Sequence, residues 1–307
     1  MNIGSSSIGA EWFLNGTATL QREEIRTQRQ ISSGFQVQDA ADSPSQTPEL
    51  IGLGSRLVAT QAYQTNLGRI QAETSSADTA LSAAIKLFDS ARSLALQGAG
   101  TTVSAADRQN LATQVQSIQQ QLVSLANSNT EGRFIFGGDQ DLSVPYQLNA
   151  ASTSGVDKLS PQTITRLITD LAGQPVYQAR SAATIFDHTT SGGVPASDNA
   201  FAALQTLQVA LQSNDSAGIA NALNGLESAA GWLNQQQAAY GVDAGRISQK
   251  QSVATDQVTG LRTSISAIRD TDIVQAATDL AQETTAQSAA FAAQAQISRK
   301  SLFDYLG

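Results

Sequence analysis

The sequence predicts a mainly α chain: a long antiparallel helical rod, N- and C-terminal helices that need each other or other copies, and a small inserted module of short strands and turns. Three observations carry this. Apolar residues alternate at spacings of three and four over two very long stretches, both ends of the chain carry a weaker version of that pattern, and glycine and proline gather between 134 and 197.

Residues 8–32 suit a first helix whose apolar seam is thin. From Leu53 a seven-residue series runs through Thr60, Leu67, Thr74, Leu81, Phe88 and Ala95, with a second through Tyr63, Ile70, Ala77, Ala84 and Ala91. This places one seam along a helix of roughly 45 residues. A turn at Gly98 and Gly100 follows, then Ser104 as an N-cap with Asp107 at the third helical position, and Leu111, Val115, Ile118, Leu122 and Leu125 behind them. Two helices joined this way should lie antiparallel. The pieces FIF (134–136) and VYQA (176–179) read as short strands among turns, with one short helix expected near 161–172. The most sustained pattern runs from Ile219 through Leu226, Leu233, Tyr240, Ile247, Ala254 and Leu261 to Asp272. A helix of about 55 residues would be roughly 80 Å long. Glycines cost about 1 kcal/mol each in a helix interior, so some are expected to mark a break or a close helix crossing, with Gly241 to Gly245 the first candidate for a break. The last stretch, 273–303, alternates Ile273, Ala277, Leu280, Phe291 and Leu302 with Thr284, Gln287, Gln294 and Ser298. Each end has too little apolar surface to stand alone as a helix, so the ends need each other or other copies. The expected division is 1–45 with 265–307 as a terminal assembly domain, 46–137 with 198–264 as the rod, and 138–197 as the outer domain.

Composition removes several kinds of function. The 307 residues carry 18 Lys and Arg against 26 Asp and Glu, a net charge of −8, and only 14% are charged. Soluble domains usually carry roughly 25%. An acidic balance without any block of Lys and Arg argues against duplex nucleic acid or an anionic membrane as partner. The absence of cysteine excludes disulfides, thiolate nucleophiles and thiolate metal sites. No stretch has the form of a cleaved signal or a membrane span. The single histidine, His188, has Asp187 beside it and Ser181 and Ser191 nearby, but sequence neighbours are not the spatial arrangement of a hydrolytic triad, and a surface-loop role is expected. Gly52 and Gly54 fall inside the heptad helix, not in a phosphate loop. The pairs Asp39/Asp42, Asp139/Asp141 and Asp270/Asp272 lack the donors of a cation site and read as turns and caps. Arg22, Arg26 and Arg29, with Glu23 and Glu24, read first as a solvated, ion-paired helix face and second as an inter-subunit charge contact. No catalytic residue, cofactor or metal is expected.

Apolar stripes at helical spacing are ordinarily core, which accounts for 53–125 and 219–268. The terminal stripes differ because they begin and end the chain. Their bulky members are the expected subunit contacts: Ile8, Trp12 and Ile25 in the first helix, and Ile273, Leu280, Phe291, Leu302, Phe303, Tyr305 and Leu306 in the last. Bulky groups at a chain end have no local core to enter.

Four segments carry a resemblance. ISSG at 31–34, followed by DAADSP at 39–44, resembles the stretch after the first helix of bacterial flagellins and hook-associated proteins. SAADRQNLATQVQSIQQQLVSLAN at 104–127 resembles that family's second core-helix motif, with Ser104, Asp107, Arg108 and Asn127 in register. GRFIFGG at 132–138 and SLFDYLG at 301–307 resemble the hook-associated branch, and Phe35 stands where a basic residue is usual. The resemblance implies N- and C-terminal helices paired as a coiled coil, a surrounding helical rod and a small β-rich outer domain, in a non-enzymatic axial subunit joining hook to filament by ordered polymerisation through its terminal helices. The alternative is a flagellin that builds the filament itself. It further implies partners: the first hook-associated protein, flagellin, other copies and an export chaperone, with neither nucleic acid nor membrane insertion. Secretion through the flagellar type III apparatus, without a cleaved signal, would place the protein in the extracellular flagellum. An enzyme or carbohydrate-binding module in 138–197 is a third reading, for which only His188 offers chemistry.

Overall fold

A computed structural model describes residues 4–161, 166–170 and 172–303, with side chains between 11 and 295. In chain order the elements are α1 (Gly4–Ser33), α2 (Thr47–Gly98), α3 (Ala105–Ala126), β1 (Asn129–Thr130), β2 (Arg133–Phe134), β3 (Tyr146–Leu148), β4 (Val156–Lys158), β5 (Leu167–Thr169), β6 (Pro175–Gln178), α4 (Ala182–Ile185), α5 (Ala200–Gln212), α6 (Ser216–Arg269) and α7 (Ile273–Phe303). The expected mainly helical chain, with long paired helices and a small β insert, is observed. The chain divides into a terminal unit, 1–59 with 256–307, and a central unit, 60–255.

In the central unit α2 and α6 run antiparallel in register. Gln64 donates to Thr255 at 2.9 Å, and four heptads further along α2 Arg92 pairs with Glu227 at 2.7 Å, four heptads back along α6. Between and just beyond these ties the seams close: Leu67, Leu81 and Phe88 from α2, and Ile219, Leu226, Leu233, Tyr240, Ile247 and Ala254 from α6, are all buried. One such residue falls every seven along α6, so the heptad in the sequence is the heptad of the core. Leu111, Val115 and Leu122 of α3 and Phe201, Leu204 and Leu207 of α5 complete the same apolar cluster. Burial of each large side chain stabilises the unit by roughly 1.5–3 kcal/mol.

The expected break at Gly241–Gly245 does not occur, because α6 is continuous from Ser216 to Arg269. Tyr240 and Ile247, on either side of the glycines, are at most 1% exposed and hold the helix to the core. Their burial outweighs the roughly 1 kcal/mol cost of each glycine. The expected helix near 161–172 is also absent from its described residues: Leu167–Thr169 is strand β5, paired antiparallel with β6. Leu-Ile-Thr followed by the Asp170–Gly173 turn favours strand and hairpin over helix.

The corner after α2 shows why its sequence is spelled as it is. Ser104 Oγ accepts from the Asp107 N–H at 3.1 Å and caps α3. One residue on, the buried Arg108 guanidinium donates to the Gly98 carbonyl at 2.8 Å, the Gly100 carbonyl at 3.1 Å, and the Asn214 side chain. This ties the end of α2 to the α5–α6 turn. Glycine suits position 98, because a Cβ there would lie 2.5 Å from Leu211 Cδ2, and Leu211 is itself buried with little room to give.

The strands form three two-stranded antiparallel hairpins, β1–β2, β3–β4 and β5–β6. They share the helical core. Phe136 meets Phe186 at 5.4 Å and Tyr240 at 6.4 Å edge-on, while Phe201 joins Tyr146 and Phe186. Ion pairs bind the β5–β6 region to both long helices: Arg166 to Glu73, Arg180 to Asp243 at 2.7 Å, and Lys250 to Asp170 at 2.8 Å.

Candidate assembly surface

Within the terminal unit α1 and α7 pair antiparallel through a seam with unbroken four-three spacing. Phe13, Thr17, Leu20, Glu24, Thr27 and Ile31 line it from α1, and Ala276, Leu280, Glu283, Gln287, Ala290 and Gln294 from α7; all of these are at least partly buried. Much of the seam is polar. Thr27 donates to Glu283 at 3.1 Å, Gln287 donates to Glu24 at 3.1 Å, and only at the far end do Phe13 and Phe291 meet, edge-on at 6.4 Å. Among the described residues, Ala276 is the one buried apolar side chain of either helix.

Other large apolar side chains stand on the surface. Trp12 and Val274 are each 78% exposed, and Leu14, Ile25, Ile273 and Phe291 are exposed as well. Trp12 and Phe13 flank an open groove floored by Thr17, Leu20 and Ala290. The terminal pair therefore differs from the central unit: half of its seam is polar, its seam residues are mostly only partly buried, and several large apolar groups stand on its surface. A monomer seldom presents so much exposed apolar area without a use for it.

The turn between α1 and α2 is anchored on the junction of α6 and α7. Gly34, with φ +76°, ends α1 in the left-handed region and returns its N–H to the Gln30 carbonyl at 2.9 Å. Phe35 then bridges to Asp270, Gln36 donates to the Arg269 carbonyl at 2.7 Å, and the Arg269 guanidinium lies 4.1 Å above the Phe35 ring. Asp42 closes the turn by accepting from the Gln38 and Asp39 N–H groups, each at 3.0 Å. The Asp39 and Gln38 N–H groups hold its carboxyl below the ordinary 3.8, helped by the charges of Arg26 and Arg29. Asp270 is lowered too, mainly by the Ser266 hydroxyl. Such depressed carboxyls contribute stability that is present above the unfolded value and lost as pH falls through the folded one. Acid should therefore loosen this turn below about pH 4. Asp42→Asn should weaken it at neutral pH and flatten the acid limb of a circular dichroism titration; an unchanged limb would contradict the assignment.

The residues searched for chemistry have structural work. His188 Nδ1 lies 2.8 Å from Asp198, and its ring stacks on Trp232 at 5.0 Å. Asp187 turns away to accept from Tyr146 and Asn199, both at 2.9 Å, and Ser181 caps α4. No triad geometry results. Among the described residues there is no group of three or more His, Cys, Asp or Glu placed to hold a metal ion. Asp272 accepts from the Val274 and Gln275 N–H groups as the cap of α7, in keeping with the expected cap role, whereas Asp141 is largely buried and pairs with Arg133. The expected ion-paired face on α1 is not formed. Glu24 is drawn into the seam by Gln287, Arg22 folds back onto the Ala18 carbonyl, and among the described residues none of Arg22, Arg26 and Arg29 has an ion-pair partner.

A family model described as bacterial flagellin N-terminal helical region matches residues 13–141. Flagellar hook-associated protein 3 of Salmonella typhimurium is 25% identical over 285 residues, covering 87% of this chain and 88% of that one. Its Escherichia coli counterpart is 23% identical, covering 94% and 95%. The chain is thus similar to flagellar hook-associated protein 3 over most of its length, and to the flagellin N-terminal helical region over residues 13–141. A putative flagellar hook-associated protein from Vibrio parahaemolyticus has the same fold, with a TM-score of 0.63 at 18% identity, covering 75% of this chain and all of that one. No helix among the described residues is long and apolar enough to cross a membrane.

The assembly residues expected from sequence fall into three groups. Trp12, Ile25, Ile273 and Phe291 are exposed on the terminal unit, while Leu280 lies half-buried in the seam. The side chains of Ile8, Leu302 and Phe303, and all of Tyr305 and Leu306, lie outside the described residues. The seam itself is shifted from the expected one: Ala276 and Ala290 line it in place of Ala277 and Phe291. Leu14, Ile51, Val58 and Val274 were not expected, yet each is exposed on the same unit. Ile51 and Val58, seven residues apart beside the Leu53 series, form a second stripe that the stronger seam obscures.

Proposed function

We propose that this chain is the axial structural subunit that joins hook to filament, polymerising in a short ordered layer through its terminal helices. The single observation behind the reading is the exposed apolar face of α1 and α7: the pair closes through a seam that is half polar and mostly only partly buried, and leaves Trp12, Leu14, Ile25, Ile273, Val274 and Phe291 on the surface for other molecules. Burial across copies supplies roughly 25 cal/mol per Å² of apolar surface, less the entropy of ordering the ends. Residues 1–45 and 265–307 form the assembly domain, 46–137 and 198–264 the rod, and 138–197 the outer domain. Ile8, Trp12, Ile25, Ile273, Leu280 and Phe291 contact neighbours, as do Leu302, Phe303, Tyr305 and Leu306 at the C-terminus. The neighbours are other copies, the first hook-associated protein on the hook side and flagellin on the filament side. A chaperone covers the ends before export through the flagellar type III apparatus to the extracellular flagellum.

The test is seeded growth. Purified chain added to isolated hook ends, viewed by electron microscopy under salting-out conditions, should add a short layer and stop. Continuous growth into long filaments would overturn the reading in favour of a filament-forming flagellin, and no addition at all would overturn both.

A further inference from the structure

The outward ridge of α1 carries three guanidinium groups that find no carboxylate within the molecule. Arg22, Arg26 and Arg29 follow one another at spacings of four and three, on the side of the helix away from the Thr17, Leu20, Glu24 and Thr27 seam, and all three are exposed. The side chains of Arg26 and Arg29 make neither an ion pair nor a hydrogen bond among the described residues, and their charges act on Asp42 through space. Arg22 donates to the Ala18 carbonyl and the Thr19 hydroxyl, both at 3.1 Å. Glu23, on the flank of the ridge, offsets one of the three charges, and Glu24 is taken up by the seam. An excess of cation remains, in a chain whose net charge is −8. Of the two readings the sequence allows for this face, pairing within the helix fails, which leaves a charge contact between subunits.

The same helix offers the matching chemistry one stretch earlier. The groove beside Trp12, of about 700 Å³, is lined by Glu11, Gly16, Leu20 and Ala290. Glu11 is exposed and has no ion-pair partner among the described residues. Trp12 is 78% exposed, and among those residues its indole makes neither a hydrogen bond nor a ring contact. An indole face is the strongest aromatic platform for a cation, and the planar, weakly hydrated guanidinium lies flat on it. A carboxylate beside that platform takes the guanidinium N–H groups, and Leu20 and Ala290 suit the apolar stem of the side chain. The groove is thus shaped and charged for an arginine. The ridge supplies arginines, but not to its own groove: ten residues separate Trp12 from Arg22 and Gly16 from Arg26, about 15 Å along a helix that is continuous from Gly4 to Ser33. A second copy laid alongside and shifted by that length brings the two together. Each copy then keeps a free groove on one side and a free ridge on the other, so the contact repeats head to tail from molecule to molecule.

We propose that the groove at Glu11 and Trp12 of one copy receives the ridge of Arg22, Arg26 and Arg29 of the next, with an arginine laid on the Trp12 indole and paired with Glu11. The inference rests on the polymerising role proposed above and gives its lateral contact a stagger of about 15 Å between neighbouring α1 helices. Disulfide trapping tests it, since a chain without cysteine lets an introduced pair report only on itself. Gly16→Cys puts a thiol in the groove, where a Cβ meets nothing within 4 Å, and Arg26→Cys puts one on the ridge while Arg22 and Arg29 remain. The two positions cannot bridge within one molecule, because a disulfide needs Cα atoms within roughly 7 Å. The full-length double variant is expressed in a flagellated strain lacking its own copy, and intact flagella are treated with a mild oxidant. A ladder of covalent dimers, trimers and larger species is expected, with each single variant remaining monomeric. Separately, Arg22→Glu and Glu11→Arg should each lower the amount retained in flagella by about fivefold or more, with the thermal unfolding of the purified chain unchanged. Their combination should return to within about twofold of the parent. A cysteine pair that is retained without cross-linking overturns the proposal and leaves the junction reading standing. Cross-links that stop at dimers, or that form from Gly16→Cys alone, also overturn it, because the contact is then symmetric. If the cysteine pair itself prevents retention, the charge exchange decides: normal retention of both single charge variants, or a loss that their combination does not repair, overturns the proposal. Failure of the unaltered chain to enter flagella is a different result and overturns the junction reading itself.

Discussion

Trp12→Ser combined with Phe291→Ser abolishes entry into the flagellum while leaving the thermal unfolding of the purified chain unchanged. The two halves of this expectation come from the same fact: both side chains are mostly exposed in the single molecule, Trp12 at 78% and Phe291 at 54%. Exposed substitutions ordinarily move stability by no more than about 0.5 kcal/mol. Phe291 makes one aromatic contact, edge-on with Phe13, and its loss adds little to that. In the assembled state each side chain would be buried at roughly 2–3 kcal/mol. The double variant thus loses about a thousandfold in affinity at every contact. Serine keeps the chain soluble and introduces no charge, so failure to assemble cannot be ascribed to repulsion. The measurement is retention in purified flagella of a strain lacking its own copy; recovery at the parental level would show that the exposed apolar face is not the assembly surface.

Phe136→Ala has the opposite profile, with a large loss of stability and no direct effect on the terminal unit. Phe136 is fully buried and stands where helix and hairpin share a core, edge-on to Phe186 and to Tyr240 of α6. Removing a buried phenyl costs about 3–5 kcal/mol, because the transfer energy is lost and the cavity collapses only in part. Its surroundings resist collapse. Gly137 is locked, with a Cβ there 2.9 Å from the Asp141 Cα, and Gly138 holds a φ of +65°, so the backbone of the motif has little freedom to follow. Urea unfolding should show an earlier midpoint with an unchanged slope. A loss below about 1 kcal/mol would mean that the hairpins are appended to the helices without sharing their core.

The sequence displays this fold unevenly. Ile219 to Ala254 was legible because every seventh residue is apolar and packs on a partner of the same period, so local pattern and tertiary burial agree. Ser104 was legible for a related reason: a cap needs a particular residue type at one position. The continuity of α6 through Gly241 was not, since propensity counts the glycines and is blind to the anchoring of Tyr240 and Ile247. Strand β5 was missed because three residues are too few for an alternation to declare itself. The α7 seam was placed one residue off along half its length. When polar groups such as Glu283 and Gln287 form the inner face, a search for apolar spacing selects the outer one. The candidate surface was partly found through that same preference, and Val274 and Leu14 escaped because they sit beside stronger signals.

The Thr27–Glu283 and Glu24–Gln287 layers also fix how the two terminal helices line up. Hydrogen bonds are directional where oily contact is not, so sliding one helix along the other by a heptad would forfeit both and leave acceptors stranded. Alignment of the two chain ends is thus settled by donors and acceptors that contribute little cohesion. An arriving molecule can carry a defined shape to its destination while its stickiness is still unspent.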